Sequence, residues 1–269
     1  MPETETETTY TDIQFDVSDG VATVTIDRQN RLNAFTPHTL REMIDAFNRV
    51  RDDGQVGVAV LTGAGGRAFC AGGDMEWEKD GGLEELKVDN VMVGLYDAMR
   101  DCLKPVIARV DGYAIGGGNH LAYHCDITIA SDRSTFGQNG ARVGSPASGS
   151  IVSYLARNLG EKRAREMWLM CRKYTPAQML DWGLVNAVVP ADALDVEVRK
   201  WADEMLALSP TVLKVLKKSF DDEWAPLRAR QDDADFLGEI NPGFFESGEQ
   251  QEGATAFLEK RVPDFSAWR

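Results

Sequence analysis

The stretch Lys104–Gly137, KPVIARVDGYAIGGGNHLAYHCDITIASDRSTFG, constrains this chain more than any other. Its Pro105–Val110 run is short, apolar and rich in β-branched residues, which predicts a buried strand. Asp111-Gly112 marks a turn and Tyr113–Ile115 returns to an apolar path. Gly116, Gly117 and Gly118 then open a helix-like segment that runs to Tyr123. A second buried strand is predicted over Ile127–Ala130. Three glycines between a strand and a helix let the backbone approach another group with no Cβ between them. The helix that begins there leaves its first N–H groups unpaired and carries partial positive charge. Such a corner can hold an anion, or an oxygen that becomes anionic during a reaction. Taken alone, a glycine triplet is more simply a tight connection with no chemistry.

Residues Val60–Asp74, VLTGAGGRAFCAGGD, shift that balance, with the end of an apolar strand, a glycine-rich bend and a Cys-Ala-Gly-Gly-Asp loop. With Ile26–Phe35 (IDRQNRLNAF) and Phe136-Gly137-Gln138, these pieces resemble the crotonase (enoyl-CoA hydratase/isomerase) superfamily. The resemblance covers nearly the whole chain after about residue 10. It implies an α/β fold, a crotonase-like ββα spiral with a helical C-terminal oligomerisation region, and a homotrimer or a dimer of trimers. It also implies an acyl-CoA partner whose thioester oxygen is bound by two backbone N–H groups. The matching positions are Gly73 and Gly117.

At 269 residues the chain can bury one large core without a second domain. No repeat or linker divides it, so the expected organisation is a disordered tail over 1–9, a spiral core over 10–205 and a helical region over 206–269 packed on that core. There is no apolar run of transmembrane length. Met1–Thr11 is acidic and threonine-rich and reads as a solvated tail, not a signal peptide. Four cysteines, Cys70, Cys102, Cys125 and Cys171, form no C-x-x-C pair, which suits a reducing cytoplasm. The 29 basic and 43 acidic residues give a net charge of −14, which opposes nonspecific binding to nucleic acid or anionic membrane. Local cations and helix N-termini, not the net charge, decide whether a pocket accepts polyanionic CoA.

A hairpin is expected from Tyr10–Val17 and Val21–Ile26 around Asp19-Gly20. Thr36-Pro37 starts a helix whose buried face carries Leu40, Met43, Ile44 and Phe47. Val56–Leu61 is the next strand, Glu76–Gly82 reads as irregular, and Leu83–Cys102 has helical spacing. Trp77 fits either a carbon-rich acyl group or surface packing. Helices are expected at Ile151–Asn158, Glu161–Met170, Pro176–Trp182, Ala191–Leu208, Pro210–Glu223 and Gln251–Lys260, with a short strand at Val185–Val189.

Within the superfamily the chain resembles the group of 1,4-dihydroxy-2-naphthoyl-CoA synthase and 2-ketocyclohexanecarboxyl-CoA hydrolase. CAGGD at 70–74, GYAIGGGN at 112–119, CDITIA at 125–130 and the segment from Phe136 to Ser145 carry that resemblance. Gly160–Trp168, Cys171–Tyr174, Glu252-Gly253 and Glu259–Phe265 extend it. These enzymes make or break a carbon–carbon bond beside a thioester through an enolate. Hydratases use two glutamates instead, and those positions hold His120 and Gly140 here. Two departures separate the chain from its subgroup: Ala147 stands where an aspartate is expected, and Phe245 where a tyrosine is. Ser148 and Tyr154 are candidate substitutes. Gly-Ser-Pro-Ala-Ser-Gly is also similar to the ring-opening 6-oxocyclohex-1-ene-1-carbonyl-CoA hydrolase, which has glutamate at the His120 position.

His120 is either a neutral general base, kept uncharged by the helix N-terminus, or a histidine packed under the loop. His124 lies one turn further on and could share its face, but no third ligand accompanies the pair and no metal is expected. Gly140 is expected to open a space for an ordered water, or with less favour a bicarbonate, in place of the second glutamate. No other cofactor is expected beyond the CoA thioester. The resemblance further places Arg31, Arg67, Ala71, Gly72, Asp74, Ser145, Ser148, Phe245 and Lys260 along the CoA and acyl path. For Arg31 a solvated loop is an equal alternative, Asp74 could equally cap a loop, and a solvated Lys260 is the default.

Overall fold

A computed structural model describes residues 9–83, 90–232 and 235–268. Residues 1–8, and with them most of the expected disordered tail, lie outside the described residues. Strands β1 (Ile13–Ser18) and β2 (Val21–Ile26) form the expected antiparallel hairpin, with Ser18 opposite Val21. Strand β2 then pairs in parallel with β3 (Val58–Gly63), followed by β5 (Val106–Val110), β7 (Ile127–Ser131) and β10 (Ala187–Val189). A smaller sheet has the order β4 (Ala68–Cys70), β6 (Tyr113–Ile115), β8 (Thr135–Gly137) and β9 (Lys173–Tyr174). Its first three strands are parallel, and β9 is antiparallel to β8. From β3 to β8 the chain alternates between the sheets, giving a strand to the larger, one to the smaller, then a helix. That is a spiral of ββα turns.

Helix α1 (Pro37–Asp52) begins as expected, with Thr36 and Thr39 closing a capping box and Pro37 in the first turn. Leu40, Met43, Ala46, Phe47 and Val50 form its buried stripe, and Ile44 is half-buried beside them. The segment read as irregular after Asp74 is helical at its start and kinked at Asp80-Gly81, whose backbone angles are not helical. Asp74 caps a single turn, α2 (Met75–Trp77), which runs into a π-type turn over Glu78–Gly82. The Asp74 carboxylate caps the first turn by accepting from the Glu76 N–H. Residues 84–89 of the expected Leu83–Cys102 helix lie outside the described residues, and the described part is α3 (Val91–Asp101).

Helix α4 (Gly117–His124) follows the glycine corner, and α5 (Gly140–Val143) follows β8. Helices α6 (Ser150–Leu159), α7 (Glu161–Met170) and α8 (Pro176–Trp182) sit within a residue of expectation. The stretch 191–208 starts as a 3-10 turn at Ala191–Ala193 and becomes α9 (Leu194–Leu206). Then come α10 (Pro210–Asp222), α11 (Ala225–Asp232), α12 (Phe236–Ile240) and α13 (Glu249–Leu258). Helix α13 lies against α5, α2 and the π turn. The approach is close, because a Cβ at Gly253 would overlap the backbone of Val143.

The main core is built from α1, α3, α4 and the inner face of the large sheet, with Phe47, Leu61, Leu95, Ala108 and Leu121 sealed from solvent. A second cluster, including Val58, Ile107, Ile129 and Leu194, fills the space between the other face of that sheet and α9. Among the described residues no helix is long and apolar enough to cross a membrane.

Candidate active site

Strands β4, β6 and β8 run parallel and side by side, so the loops that follow them leave from one end of the small sheet. Binding groups gather at the carboxyl ends of parallel strands for this reason. The loops are Ala71-Gly72-Gly73, Gly116-Gly117 and Gln138-Asn139-Gly140, and all three line one cavity of ≈ 890 Å³.

Gly73 is bridged to Phe35: the Phe35 N–H donates to the Gly72 carbonyl at 2.9 Å, and the Asp74 N–H donates to the Phe35 carbonyl at 2.9 Å. Peptide groups alternate sides along extended backbone, so the Gly73 N–H points away from Phe35. Gly117 is the first residue of α4. Its neighbour Gly116 donates to the Gly137 carbonyl at 2.9 Å, while the Gly117 N–H is a first-turn amide with no intrahelical acceptor. Neither the Gly73 nor the Gly117 amide donates to any described residue. The loops touch, since a Cβ at Gly72 would stand 3.2 Å from the Gly117 nitrogen. Two unpaired amides facing a largely apolar cavity are costly unless a ligand oxygen meets them. Side chains are excluded here by packing: a Cβ at Gly118 would overlap the Cys70 carbonyl, and one at Gly117 the Phe35 ring.

His120 lies one turn into α4, lines the cavity and is 7 % exposed. Its Nε2 meets Gln138 Oε1 at 3.1 Å, and the Trp168 and Tyr123 rings flank it with centroids at 5.3 Å and 5.6 Å. Burial pulls its pKa down to about 4 against the opposing Gln138 contact, so the ring is neutral at pH 7. The sequence argument put neutrality down to the helix N-terminus, but desolvation is the larger cause. With Oε1 facing Nε2, the proton sits on Nε2 and Nδ1 is the basic nitrogen. His124 does not share this cavity. It is stacked between Tyr96 and Tyr154, with centroids at 3.8 Å and 4.7 Å, and burial depresses its pKa well below the ordinary value.

The space at Gly140 does not lie where a side chain would have stood, although its backbone borders the cavity. A Cβ at that position would stand 2.5 Å from the Ser145 carbonyl, because the α5 turn folds back and Ser145 N–H donates to the Gly140 carbonyl at 3.0 Å. Gly140 therefore lines the cavity with backbone and makes room for the turn.

Of the residues assigned to the CoA and acyl path, Ala71, Gly72, Ser145, Ser148 and Phe245 line the cavity, as does Ala147. Arg31, Arg67, Asp74 and Lys260 do not. Arg31 is ion-paired to Glu76 at 2.7 Å, and Asp74 accepts from the Glu76 N–H at 3.2 Å and pairs with Arg28 at 3.1 Å. Asp74 thus ties the loop. Tyr154 packs on His124 and Trp224, away from the cavity, and Trp77 packs over Gly82. Burial pushes the Cys70 thiol up to about 12, which keeps it a thiol.

Cavity groups that the sequence reading missed are Arg142, Arg172 and Lys173, which give the lining positive charge, and Trp168, whose indole N–H has no partner. The most consequential is Glu78. It is 4 % exposed, lines the cavity and places Oε1 against the Gly73 backbone, where a Cβ would overlap it. Its Oε2 has no hydrogen-bond partner among the described residues. Burial lifts its pKa to about 7, with Asp74 adding to the rise and the Ser145 hydroxyl opposing it. The spacing Asp74-x-x-x-Glu78 is a one-turn helical spacing, and reading Asp74 as an N-cap would have placed Glu78 above the glycine loop.

Free backbone donors at the end of a parallel sheet, inside a ββα spiral, suit an enzyme that stabilises an oxygen gaining negative charge. The chain belongs to the enoyl-CoA hydratase/isomerase family, whose model matches residues 16–267, and so to the crotonase superfamily. An enoyl-CoA hydratase from Mycobacterium avium subsp. paratuberculosis K-10 is 30% identical, with 96% of this chain and 99% of that one covered and a TM-score of 0.81. An enoyl-CoA hydratase/carnithine racemase from Magnetospirillum magneticum is also 30% identical, covering 96% and 97%, with a TM-score of 0.77. A methylmalonyl-CoA decarboxylase in complex with 2-nitronate-propionyl-CoA shares the fold at 23% identity, 96% and 99% coverage and a TM-score of 0.82. Acyl-CoA-processing enzyme is the level at which family and fold agree.

Proposed function

We propose that this enzyme binds a cyclic or β-keto acyl-CoA with its thioester oxygen between the Gly73 and Gly117 N–H groups and cleaves a carbon–carbon bond with water, or runs the ring-forming reverse. The observation that carries this reading is the pair of unpartnered amides in one cavity beside a neutral histidine, and the sequence resemblance puts His120 and Gly140 at the hydratase glutamate positions. In the cleavage direction His120 Nδ1 takes a proton from water as the water oxygen adds to the keto carbon. The carbon–carbon bond then breaks, its electron pair passes to the thioester as an enolate, and the oxygen charge is met by the two amides. Protonation of the α-carbon completes the reaction. The cationic Arg142, Arg172 and Lys173 are the groups we assign to the CoA phosphates. A water beside Gly140, in preference to bicarbonate, is the nucleophile. The subgroup of naphthoyl-CoA synthase and ketocyclohexane hydrolase is the nearest in sequence motif, although Ala147 and Phe245 depart from it.

A second reading, an enoyl-CoA hydratase or isomerase with a non-standard base, is favoured by one observation: the carboxyl of Glu78 beside Gly73. A panel of β-keto, cyclic keto and enoyl-CoA thioesters followed by mass separates the two. Gain of water with ring or chain cleavage supports the first, gain of water across a double bond the second, and tight binding without turnover contradicts both. Repeating the assay without bicarbonate tests the water, because a rate that needs added bicarbonate contradicts it.

We take the assembly to be a homotrimer or a dimer of trimers. The apolar side chains Val212, Val215, Leu216 and Phe220, exposed along α10, support self-association. Light scattering that finds a monomer contradicts this.

A further inference from the structure

We propose that Glu78 is the catalytic group that removes and returns the proton on the α-carbon of the bound acyl thioester. This rests on the enolate reading of the site and adds to it the residue that serves the carbon end of the enolate, where His120 serves water. Neither the glycine loops nor His120 supplies this group, and the two glutamate positions of hydratases are His120 and Gly140 here.

The placement comes from backbone that is fixed on three sides. The Glu78 N–H donates to the Asp74 carbonyl at 2.8 Å, Asp74 is held by Arg28 at 3.1 Å, and Gln250 Nε2 from α13 donates to the Glu78 carbonyl at 2.8 Å. The side chain then lies along the Gly73 backbone, and Gly73 supplies one of the two amides for the thioester oxygen. An α-carbon is one bond from the carbonyl carbon, so a carboxylate against Gly73 stands beside the atom that must gain or lose a proton. Glu78 lines the cavity and its buried Oε2 has no partner among the described residues, so hydrogen-bonding capacity is left unspent next to where a substrate binds.

The charge balance suits a buried site. A carboxylate and a neutral thioester become a carboxylic acid and an enolate, so one negative charge moves from Glu78 to the thioester oxygen and none is created. The C–H electron pair becomes the enolate π bond, and the carbonyl π pair goes to oxygen. Return of the proton reverses each step. Desolvation, which makes the Glu78 anion a stronger base, opposes only its charged form, and the Gly73 and Gly117 amides take up the charge that leaves it. The charged and titratable groups around Glu78 are few. Asp74 on its own loop is paired to Arg28, Glu252 on α13 is paired to Arg261 at 2.6 Å, and His120, Arg142, Arg172, Lys173 and Asp235 line the same cavity.

The test is deuterium uptake at the α-carbon of cyclohexanecarboxyl-CoA in D₂O, read by mass, with the dissociation constant of the same ester measured in parallel. Wild-type enzyme is expected to exchange, and Glu78→Gln to lose about 100-fold or more of the exchange rate with binding changed by less than about threefold. Exchange by Glu78→Gln within threefold of wild type overturns the assignment and leaves the enolate reading standing. Wild-type enzyme that binds the ester but neither exchanges its α-proton nor turns over any of the acyl-CoA panel overturns the enolate reading, and the Glu78 role with it. If Glu78→Gln does not fold, Glu78→Asp decides through its pH profile. Wild-type exchange should rise with pH to a plateau with a midpoint near 7, the value given by burial, and the shortened carboxylate should move that midpoint. A midpoint identical in the two enzymes contradicts the proposal.

Discussion

The loops after β4 and β6 and the turn that carries Glu78 face the same cavity, yet they depend on different physics. The donor loops use only backbone. They leave from one end of the small sheet because β4 and β6 are parallel neighbours, and Gly72, Gly117 and Gly118 are required because a Cβ there would meet the facing loop, Phe35 or Cys70. The Glu78 turn uses a side chain whose value comes from what surrounds it: a cap at Asp74, a tether from Gln250 and the exclusion of water. Backbone donors are robust to the chemistry of the rest of the cavity, whereas the acid–base group can be replaced without touching them.

The sharpest way to break the donor side is Gly118→Ala. Its methyl group would be driven into the Cys70 carbonyl, backbone against backbone, with no flexible neighbour to yield. A loss of about 3 kcal/mol or more in urea unfolding is expected, and an unchanged midpoint contradicts the packing described.

On the side-chain region, Glu78→Gln should raise stability at pH 8 by about 3 kcal/mol, the cost of holding a buried carboxylate whose pKa has moved from 4.5 to about 7. The native state binds the extra proton between those values, so the contribution of Glu78 is present below pH 4.5 and lost as pH rises through 7. His120 works in the opposite direction. Its pKa falls from 6.5 to about 4, the unfolded chain binds the extra proton, and its contribution is full above pH 6.5 and lost as pH drops toward 4. The two slopes offset each other in wild type between about 4.5 and 6.5. Glu78→Gln should therefore also become more acid-sensitive across that window, and urea unfolding at pH 5, 6.5 and 8 shows whether it does.

His120→Ala should reduce turnover by about 100-fold with acyl-CoA binding kept within a few-fold, as expected for lost proton transfer from water. Near-normal turnover makes the ring structural. If the alanine variant unfolds, His120→Gln replaces it and must show the same split between rate and binding.

The smallest effect is expected for Gly73→Ala. Its Cβ meets only the mobile end of Glu78, so stability should change by less than about 1 kcal/mol while turnover falls about tenfold as the carboxylate is displaced. Equal loss of both would mean that the donor loop and the Glu78 turn are one structural unit.

The same division explains what the sequence discloses. Gly73 and Gly117 are visible through the family resemblance of the motifs around them, since a glycine run alone reads as a tight connection, and hairpin, helix cap and strand alternation locate most elements. His120 is visible by position, but its neutrality is set by burial under Trp168 and Tyr123, which only the fold supplies. Glu78 sits in a charged, glycine-containing segment that reads as irregular, and nothing local marks it as buried. Its burial comes from α13, which lies more than 160 residues further along the chain. Gly140 misleads in the other direction, since a missing side chain suggests space where the Ser145 carbonyl in fact sits. Asp74 and Arg31 match family positions in sequence but are used up in a cap and an ion pair.

The central claim is that two backbone amides receive the thioester oxygen. A crystal structure of the enzyme with a non-reactive acyl-CoA thioether or saturated thioester tests it directly. The account predicts the carbonyl oxygen, or the atom standing for it, within about 3 Å of both the Gly73 and the Gly117 nitrogens, with the α-carbon on the Glu78 side. An acyl-CoA bound in the cavity with that oxygen out of reach of both amides contradicts it.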